Sequence, residues 1–205
     1  PSKGIFYPPG HPLHNQETVE IRYMTAKEED ILTSRALLKE GIALDRMLQN
    51  ILVDKSINLD TLLVGDKSAL VVAARVTGYG PEYATNMTCP ACGNTDEFVF
   101  DVGNPECNDF QAGVNDFEVE ITANNTFLIQ LPMTKATVEC RLLTAADEKH
   151  LMKQIERKNK RKEASGITTE QFKAFIVSVN GDDSPITTIS FINAMPARDA
   201  RSLRT

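Results

Sequence analysis

The sequence predicts an α+β fold: helical segments flank a small antiparallel β unit, and an extended N-terminal arm precedes both. Three observations predict it. Residues 1–17 hold Pro1, Pro8, Pro9 and Pro12 with Gly4 and Gly10, and proline fixes φ and removes a donor, so this stretch reads as neither helix nor ladder. Residues 26–80 and 144–203 carry apolar positions at helical spacing behind capping residues. Between them, residues 81–143 hold short alternating runs separated by Gly, Asn, Asp and Pro clusters. A length of 205 residues fits one large domain or two small ones. The segments are 1–24 (arm and first strand), 25–80 (helical), 81–143 (β unit) and 144–205 (helical).

Thr18–Tyr23 alternates, with Val19, Ile21 and Tyr23 on one side, and reads as a short half-buried strand. Thr25 and Glu28 form a capping box that starts a helix from Ala26 to about Glu40, closed by Gly41. Leu44, Met47, Leu48, Ile51 and Leu52 recur at i, i+3, i+4, i+7 and i+8, the spacing of an amphipathic helix. Asp66 is suited to cap a helix from Lys67 to Thr77, with Leu70, Ala73, Ala74 and Val76 inward. The β unit comprises runs at Phe98–Phe100, Phe117–Ile121, Phe127–Leu131 and Val138–Leu142, with a long loop from Gly103 to Asp116. Thr144 caps a helix with Leu143, Leu151, Met152 and Ile155 inward. Thr168 and Gln171 form a second capping box, ahead of Phe172, Phe175, Ile176 and Val179 at helical spacing. Ser184-Pro185 opens a helix with Ile186, Ile189 and Ile192 inside, and Pro196 opens a last one from Ala197 to Leu203.

Composition excludes several classes. Apolar residues make up 41% and charged residues 24%, so neither a disordered nor a collagen-like chain is indicated. Lys and Arg number 22 against 28 Asp and Glu, a net charge of −6. That acidic balance argues against a dedicated nucleic-acid binder. The longest apolar run starts at Ala69 and falls far short of the ~18 residues that span a bilayer. No signal segment opens the chain, and four cysteines are too few for a disulfide scaffold. The chain reads as made in the cytosol. It opens on Pro1 without a methionine and stops inside a polar helical pattern, as a processed or partial chain would.

Cys89-Pro-Ala-Cys92-Gly93 is the sharpest local motif. The spacing aims two thiolates at one point, and a glycine after the second cysteine permits the left-handed backbone of a zinc knuckle. Cys89 and Cys92 are therefore the expected metal ligands, with zinc the expected metal and an iron–sulfur cluster the alternative. Zinc takes four ligands. Cys107 fits either a ligand or a bystander. Cys140 shares a strand face with Val138 and Leu142, which fits a buried apolar thiol better than a ligand. Redox use of C-x-x-C fits poorly, because turn residues surround the motif instead of a strand and an opening helix. His11 and His14 sit in the proline-rich arm without a third ligand nearby in sequence and read as surface histidines.

Lys153, Arg157, Lys158, Lys160, Arg161 and Lys162 make a basic helix end. It suits water or an acidic protein partner, and Lys158, Lys160 and Arg161 are its candidate contacts. The arm, with Phe6 and Tyr7, suits a strap across a neighbouring subunit, and deleting Pro1–Asn15 is expected to spare the fold. No nucleophile elbow, phosphate loop, H-E-x-x-H or dinucleotide fingerprint is present.

The order of motifs is more specific than any single one. Pro1-Ser-Lys-Gly-Ile-Phe-Tyr-Pro8 is followed by Ile21-Arg-Tyr-Met-Thr-Ala-Lys-Glu-Glu29, Leu62-Leu-Val-Gly-Asp66, Arg75-Val-Thr-Gly-Tyr-Gly-Pro-Glu-Tyr83 and the Cys89–Gly93 turn. Gln130-Leu-Pro132, Arg141-Leu-Leu-Thr-Ala-Ala-Asp-Glu148 and Pro196-Ala-Arg-Asp-Ala-Arg-Ser-Leu-Arg204 complete the set. In this order the motifs resemble the baseplate hub and hub-assembly proteins of T4-type contractile-tailed bacteriophages. The resemblance implies a non-enzymatic component of the virion tail baseplate, made in the bacterial host cytoplasm. It would join other baseplate and hub proteins near the tail tube and tape-measure protein, with no nucleic acid and no membrane partner. Members of the family carry a further C-x-x-C after the final helix, which this chain stops short of, so the ligand set stays open. Two other readings remain: a transient hub-assembly factor absent from the finished particle, and a zinc-ribbon nucleic-acid-binding regulator.

Overall fold

The computed structural model describes residues 1–104, 119–161 and 166–204. Helices α1 (Ala26–Thr33), α2 (Arg35–Glu40), α3 (Ala43–Ile51) and α4 (Val64–Tyr79) come first, with a 3-10 turn at Leu59–Thr61. Strands β1 (Glu82–Thr88) and β2 (Thr95–Asp101) form a separate two-stranded ribbon. Strands β3 (Val119–Ile121), β4 (Phe127–Gln130), β5 (Thr137–Cys140) and β6 (Ile176–Val179) make an antiparallel sheet in that order. Helices α5 (Ala145–Lys160) and α6 (Ile167–Phe175) precede β6, and α7 (Pro185–Ala194) and α8 (Ala197–Ser202) follow it. The fold is α+β, as predicted.

Among the described residues, apolar burial gathers into two cores. The first packs Met47, Leu48, Ile51 and Leu52 of α3 against Leu59, Leu62, Leu70 and Ala74. The second packs Leu131, Val138 and Cys140 against Phe172, Ile176, Val179 and Ile192. Backbone bonds join them: Val64 N–H donates to Leu143 O at 3.0 Å, and Ala145 N–H donates to Leu62 O at 2.8 Å. Lys149 on α5 pairs with Asp45 at 2.7 Å and also with Asp60. A cavity of about 590 Å³ lies along this seam, lined by Phe6, Leu63, Phe127, Cys140, Leu143 and Phe175 among others.

The N-terminal segment corrects the expected extended arm. It coils onto the first core through turn bonds such as His14 N–H to His11 O at 2.9 Å and Asn15 N–H to Gly4 O at 3.0 Å. Gly4 sits at φ +74°, and a Cβ there would meet Gln16 N at 2.4 Å and Leu13 O at 2.5 Å, so only glycine lets the coil close. Tyr7 and Leu13 are core residues, 2% and 6% exposed. Proline removed helix and ladder as options, but the apolar side chains still found a core.

Other elements shifted for local reasons. Thr18–Tyr23 forms one bridge, Ile21 to Leu52, in place of a strand, and Tyr23 is 75% exposed. The first helix breaks at Ser34, which adopts extended geometry, while Gly41 closes α2 in the left-handed region as expected. Helix α4 starts at Val64, two residues before Asp66, because the Leu143 carbonyl takes its first N–H. No side chain caps α6, whose N-cap is Gly166. Ile176–Val179 leaves the helical pattern for strand β6, where its β-branched residues pair with β5. In α7, Ile192 is buried with Thr188, but Ile186 and Ile189 are exposed, and Met152 of α5 is also exposed. The 105–118 part of the expected long loop lies outside the described residues.

Candidate functional site

The β1–β2 ribbon stands apart from both cores. Its register pairs Tyr83 with Phe100, Thr85 with Phe98, and Met87 with Asp96. Directly opposed residues share a face, and alternate pairs share the same face. One face therefore carries Tyr83, Met87, Phe98 and Phe100, all exposed, together with Thr85 and Asp96. The other carries Glu82 and Asp101, Asn86 and Glu97, Thr88 and Thr95, and Ala84 opposite Val99. The ribbon bears Glu82, Asp96, Glu97 and Asp101 and not one Lys or Arg. Asp96 shares the face with the apolar residues, while Glu82, Glu97 and Asp101 project from the opposite one.

Arg75 roots the ribbon on α4. Its guanidinium donates to Gly80 O at 3.1 Å and Glu82 O at 2.9 Å, and lies 5.1 Å from the Tyr79 ring centroid and 5.7 Å from that of Tyr83. Cation–π attraction and charge-assisted bonds thus fix the angle at which the ribbon leaves the body.

The Cys89–Gly93 motif forms the tip. Cys89 N–H donates to Asn94 O at 2.8 Å and Gly93 N–H donates to Cys89 O at 2.9 Å. Gly93 adopts φ +72°, the left-handed conformation its position predicted. The Cys92 and Ala91 amides and the Cys92 thiol all serve the Cys89 sulfur, and hold its pKa below the ordinary thiol value. Both cysteines are exposed free thiols. The tip therefore presents two thiols to solvent, one of them primed to ionise.

The other expected site residues fall elsewhere. Cys140 is buried in the second core, and burial pushes its thiol up to about 12, so it is an inert packing residue that does not join the tip. Cys107 lies outside the described residues. Among the described residues, no group of three or more His, Cys, Asp or Glu is placed to hold a metal. Phe6 is turned inward, its ring 5.4 Å from Phe127 across the seam. Tyr7 is buried and Phe6 half-buried, so both contribute to the chain's own packing. Phe6 packs against the first core and also lines the cavity at the seam. Of the basic run, Lys158 pairs with Glu170 at 2.8 Å and ties α5 to α6, while Lys160 is exposed. Arg161 N–H bonds back to the carbonyls of Arg157 and Lys158 at the helix end. His11 bonds Thr61 at 2.8 Å and stacks on Tyr7, so it braces the coil.

Carboxylates with shifted pKa values serve as structural ties. Arg141 grips Asp147 with two bonds of 2.7 and 2.8 Å and holds its carboxyl well below the usual range. Buried Asp199 accepts from Met133 N–H at 2.7 Å and Thr134 N–H at 3.0 Å, fastening α8 to the turn after β4.

A family model described as T4 bacteriophage base plate protein matches residues 11–127. The chain belongs to that family. The matched span runs from the N-terminal coil through the ribbon to the start of β4, so the apolar face and the thiol tip both lie inside the part of this baseplate-family chain that carries the match. No curated protein and no solved structure gives a significant match. The residues that sequence reasoning missed are Tyr83, Met87, Phe98 and Phe100. Phe98 and Phe100 alternate and read as half-buried strand, whereas Tyr83 and Met87 lie in a strand, Glu82–Thr88, that the alternating runs did not include.

Proposed function

We propose that this chain is a structural, non-catalytic component of a contractile phage tail baseplate, seated in the hub region, where it joins other baseplate and hub proteins. Family membership and the exposed ribbon support the reading. An isolated two-stranded hairpin is marginal in water, and one that leaves Tyr83, Met87, Phe98 and Phe100 open is a docking element. The ribbon's net negative charge, with Asp96 beside the apolar residues, favours a partner with cationic groups next to its apolar surface. Tail tube and tape-measure proteins are the candidates nearest a hub. The shifted carboxylates Glu28, Asp147 and Asp199 are consumed by internal bonds, which supports a connector over an enzyme. No helix among the described residues is long and apolar enough to cross a membrane. Cys89 and Cys92 hold a structural zinc ion that stiffens the tip.

The test is phage carrying Phe98→Ser with Phe100→Ser. Wild-type chain is expected by mass spectrometry in purified tails, and the double variant is expected to be lost from them while remaining folded. Wild-type chain present in assembly intermediates but missing from finished tails would replace this reading with the transient assembly factor. Salt-dependent DNA or RNA affinity lost on neutralising Lys158, Lys160 and Arg161 would replace it with the nucleic-acid regulator.

A further inference from the structure

We propose that the ribbon docks by strand addition: an extended segment of a partner protein, alternating apolar and cationic residues, pairs along the open edge of β2. This rests on the docking role proposed for the ribbon and says how the ribbon docks. Bonds at its two ends fix which backbone groups face outward. Val102 N–H donates to Pro81 O at 2.9 Å, and Cys89 N–H donates to Asn94 O at 2.8 Å. Bonded and non-bonded pairs alternate along an antiparallel ladder, and the register between these ends is unbroken. Tyr83–Phe100, Thr85–Phe98 and Met87–Asp96 are therefore the bonded pairs. Thr95, Glu97, Val99 and Asp101 turn their N–H and C=O groups outward along β2, and Glu82, Ala84, Asn86 and Thr88 do so along β1.

The two edges are not equivalent. The Arg75 guanidinium donates to the outward Glu82 O at 2.9 Å, so α4 occupies the base of the β1 edge. Among the described residues β2 has no second neighbour, and every one of its residues is exposed. A two-stranded ribbon is marginal in water, and a third strand is what it lacks. Charge selects the occupant. Asp96, Glu97 and Asp101, three of the ribbon's four carboxylates, stand on β2. Like charges on neighbouring strands oppose pairing, so β2 repels its own copy and admits a cationic strand. Residues of an added strand fall alternately on the two faces. Those beside Phe98 and Phe100 meet apolar rings, and those beside Glu97 and Asp101 meet carboxylates. An alternation of apolar and cationic residues matches both faces at once.

The test is a matched pair of prolines. Val99 and Ala84 oppose each other and both N–H groups point outward, so proline at either removes an edge donor without breaking a ribbon bond. Phage are made with Val99→Pro or with Ala84→Pro, and the chain in purified tails is quantified by mass spectrometry. Val99→Pro is expected to be lost from tails, and Ala84→Pro to be retained at the wild-type amount. Amide hydrogen exchange at Tyr83, Thr85, Phe98 and Phe100 in each full-length variant reports whether the ribbon stays paired. With the ribbon paired, retention of Val99→Pro overturns strand addition, and so does loss of both prolines alike. Should either proline release those amides, Asp96→Lys with Glu97→Lys decides instead: it leaves the backbone intact, it is expected to be lost from tails, and its retention overturns the proposal. If strand addition fails while Phe98→Ser with Phe100→Ser is still lost, the apolar face remains the docking element. Wild-type chain missing from tails overturns both readings.

Discussion

The Tyr7 hydroxyl donates to an Asp66 oxygen at 2.8 Å and accepts the Leu63 N–H at 3.0 Å. This one phenol joins the N-terminal coil to the start of α4, at the seam between the cores. Ser2 contributes two more donors to Asp66, from its N–H and its hydroxyl. Tyr7→Phe keeps the ring but leaves a buried N–H without a partner. The expected loss is about 1–3 kcal/mol of unfolding free energy, read from chemical denaturation. Deleting Pro1–Asn15 should unfold the first core outright, contrary to the expectation of a removable strap, because Tyr7 and Leu13 leave with it.

Acid should act through Glu28. Its side chain is fully buried, and the Arg22 guanidinium, 2.6 Å away, with Thr25 lowers its pKa to about 2. The folded value lies below the unfolded value of roughly 4.3, so the contribution is complete above that pH. It is lost as pH falls through about 2. Asp147 shifts in the same direction. Melting temperature should therefore fall between about pH 4 and pH 2, and Glu28→Gln should lower it at neutral pH and flatten that slope.

Local chemistry was legible in the sequence, and long-range closure was not. Thr25, Glu28, Gly41, Ser184-Pro185 and Gly93 act through neighbours within a few residues, and each behaves as its pattern predicts apart from the break at Ser34. The errors come from partners far along the chain. Tyr7 needs Asp66, β6 needs β5, and Asp199 needs Met133. The motifs behind the family resemblance turn out to be these joints: Arg75 roots the ribbon, Arg141 grips Asp147, and the final motif holds Asp199. The ribbon face was missed because alternation reports a strand with one buried side and does not say which molecule buries it.

The cysteines should separate by reactivity. In the reduced, metal-free chain Cys89 is exposed and its pKa is lowered, while Cys140 is buried and pushed up to about 12. Thiolate is the reacting form. Timed alkylation followed by peptide mass spectrometry should label Cys89 first and Cys140 only on unfolding. Early labelling of Cys140 would mean that the second core opens readily.

The basic helix end should divide in the same way. Lys158→Ala breaks the pair with Glu170, which also holds Lys173 at 3.0 Å. Such a partly exposed tie is worth under about 1 kcal/mol, so a small drop in stability is expected. Lys160→Ala should leave stability unchanged, and any assembly defect from it would mark a partner contact.

Stability and assembly should part at the ribbon. Phe98 is 47% and Phe100 45% exposed, whereas Phe172 is 3% exposed in the second core. Phe172→Ala opens a cavity and should cost about 3–5 kcal/mol. Phe98→Ser and Phe100→Ser each remove a half-buried ring from the separate ribbon and should cost less, about 1 kcal/mol. Thermal melts of the three variants check this directly. If the ribbon variants melt as early as Phe172→Ala, the face is packed within the chain in solution, and the assembly defect expected of them could then be ascribed to misfolding; small shifts with lost incorporation would locate the defect at a partner's surface.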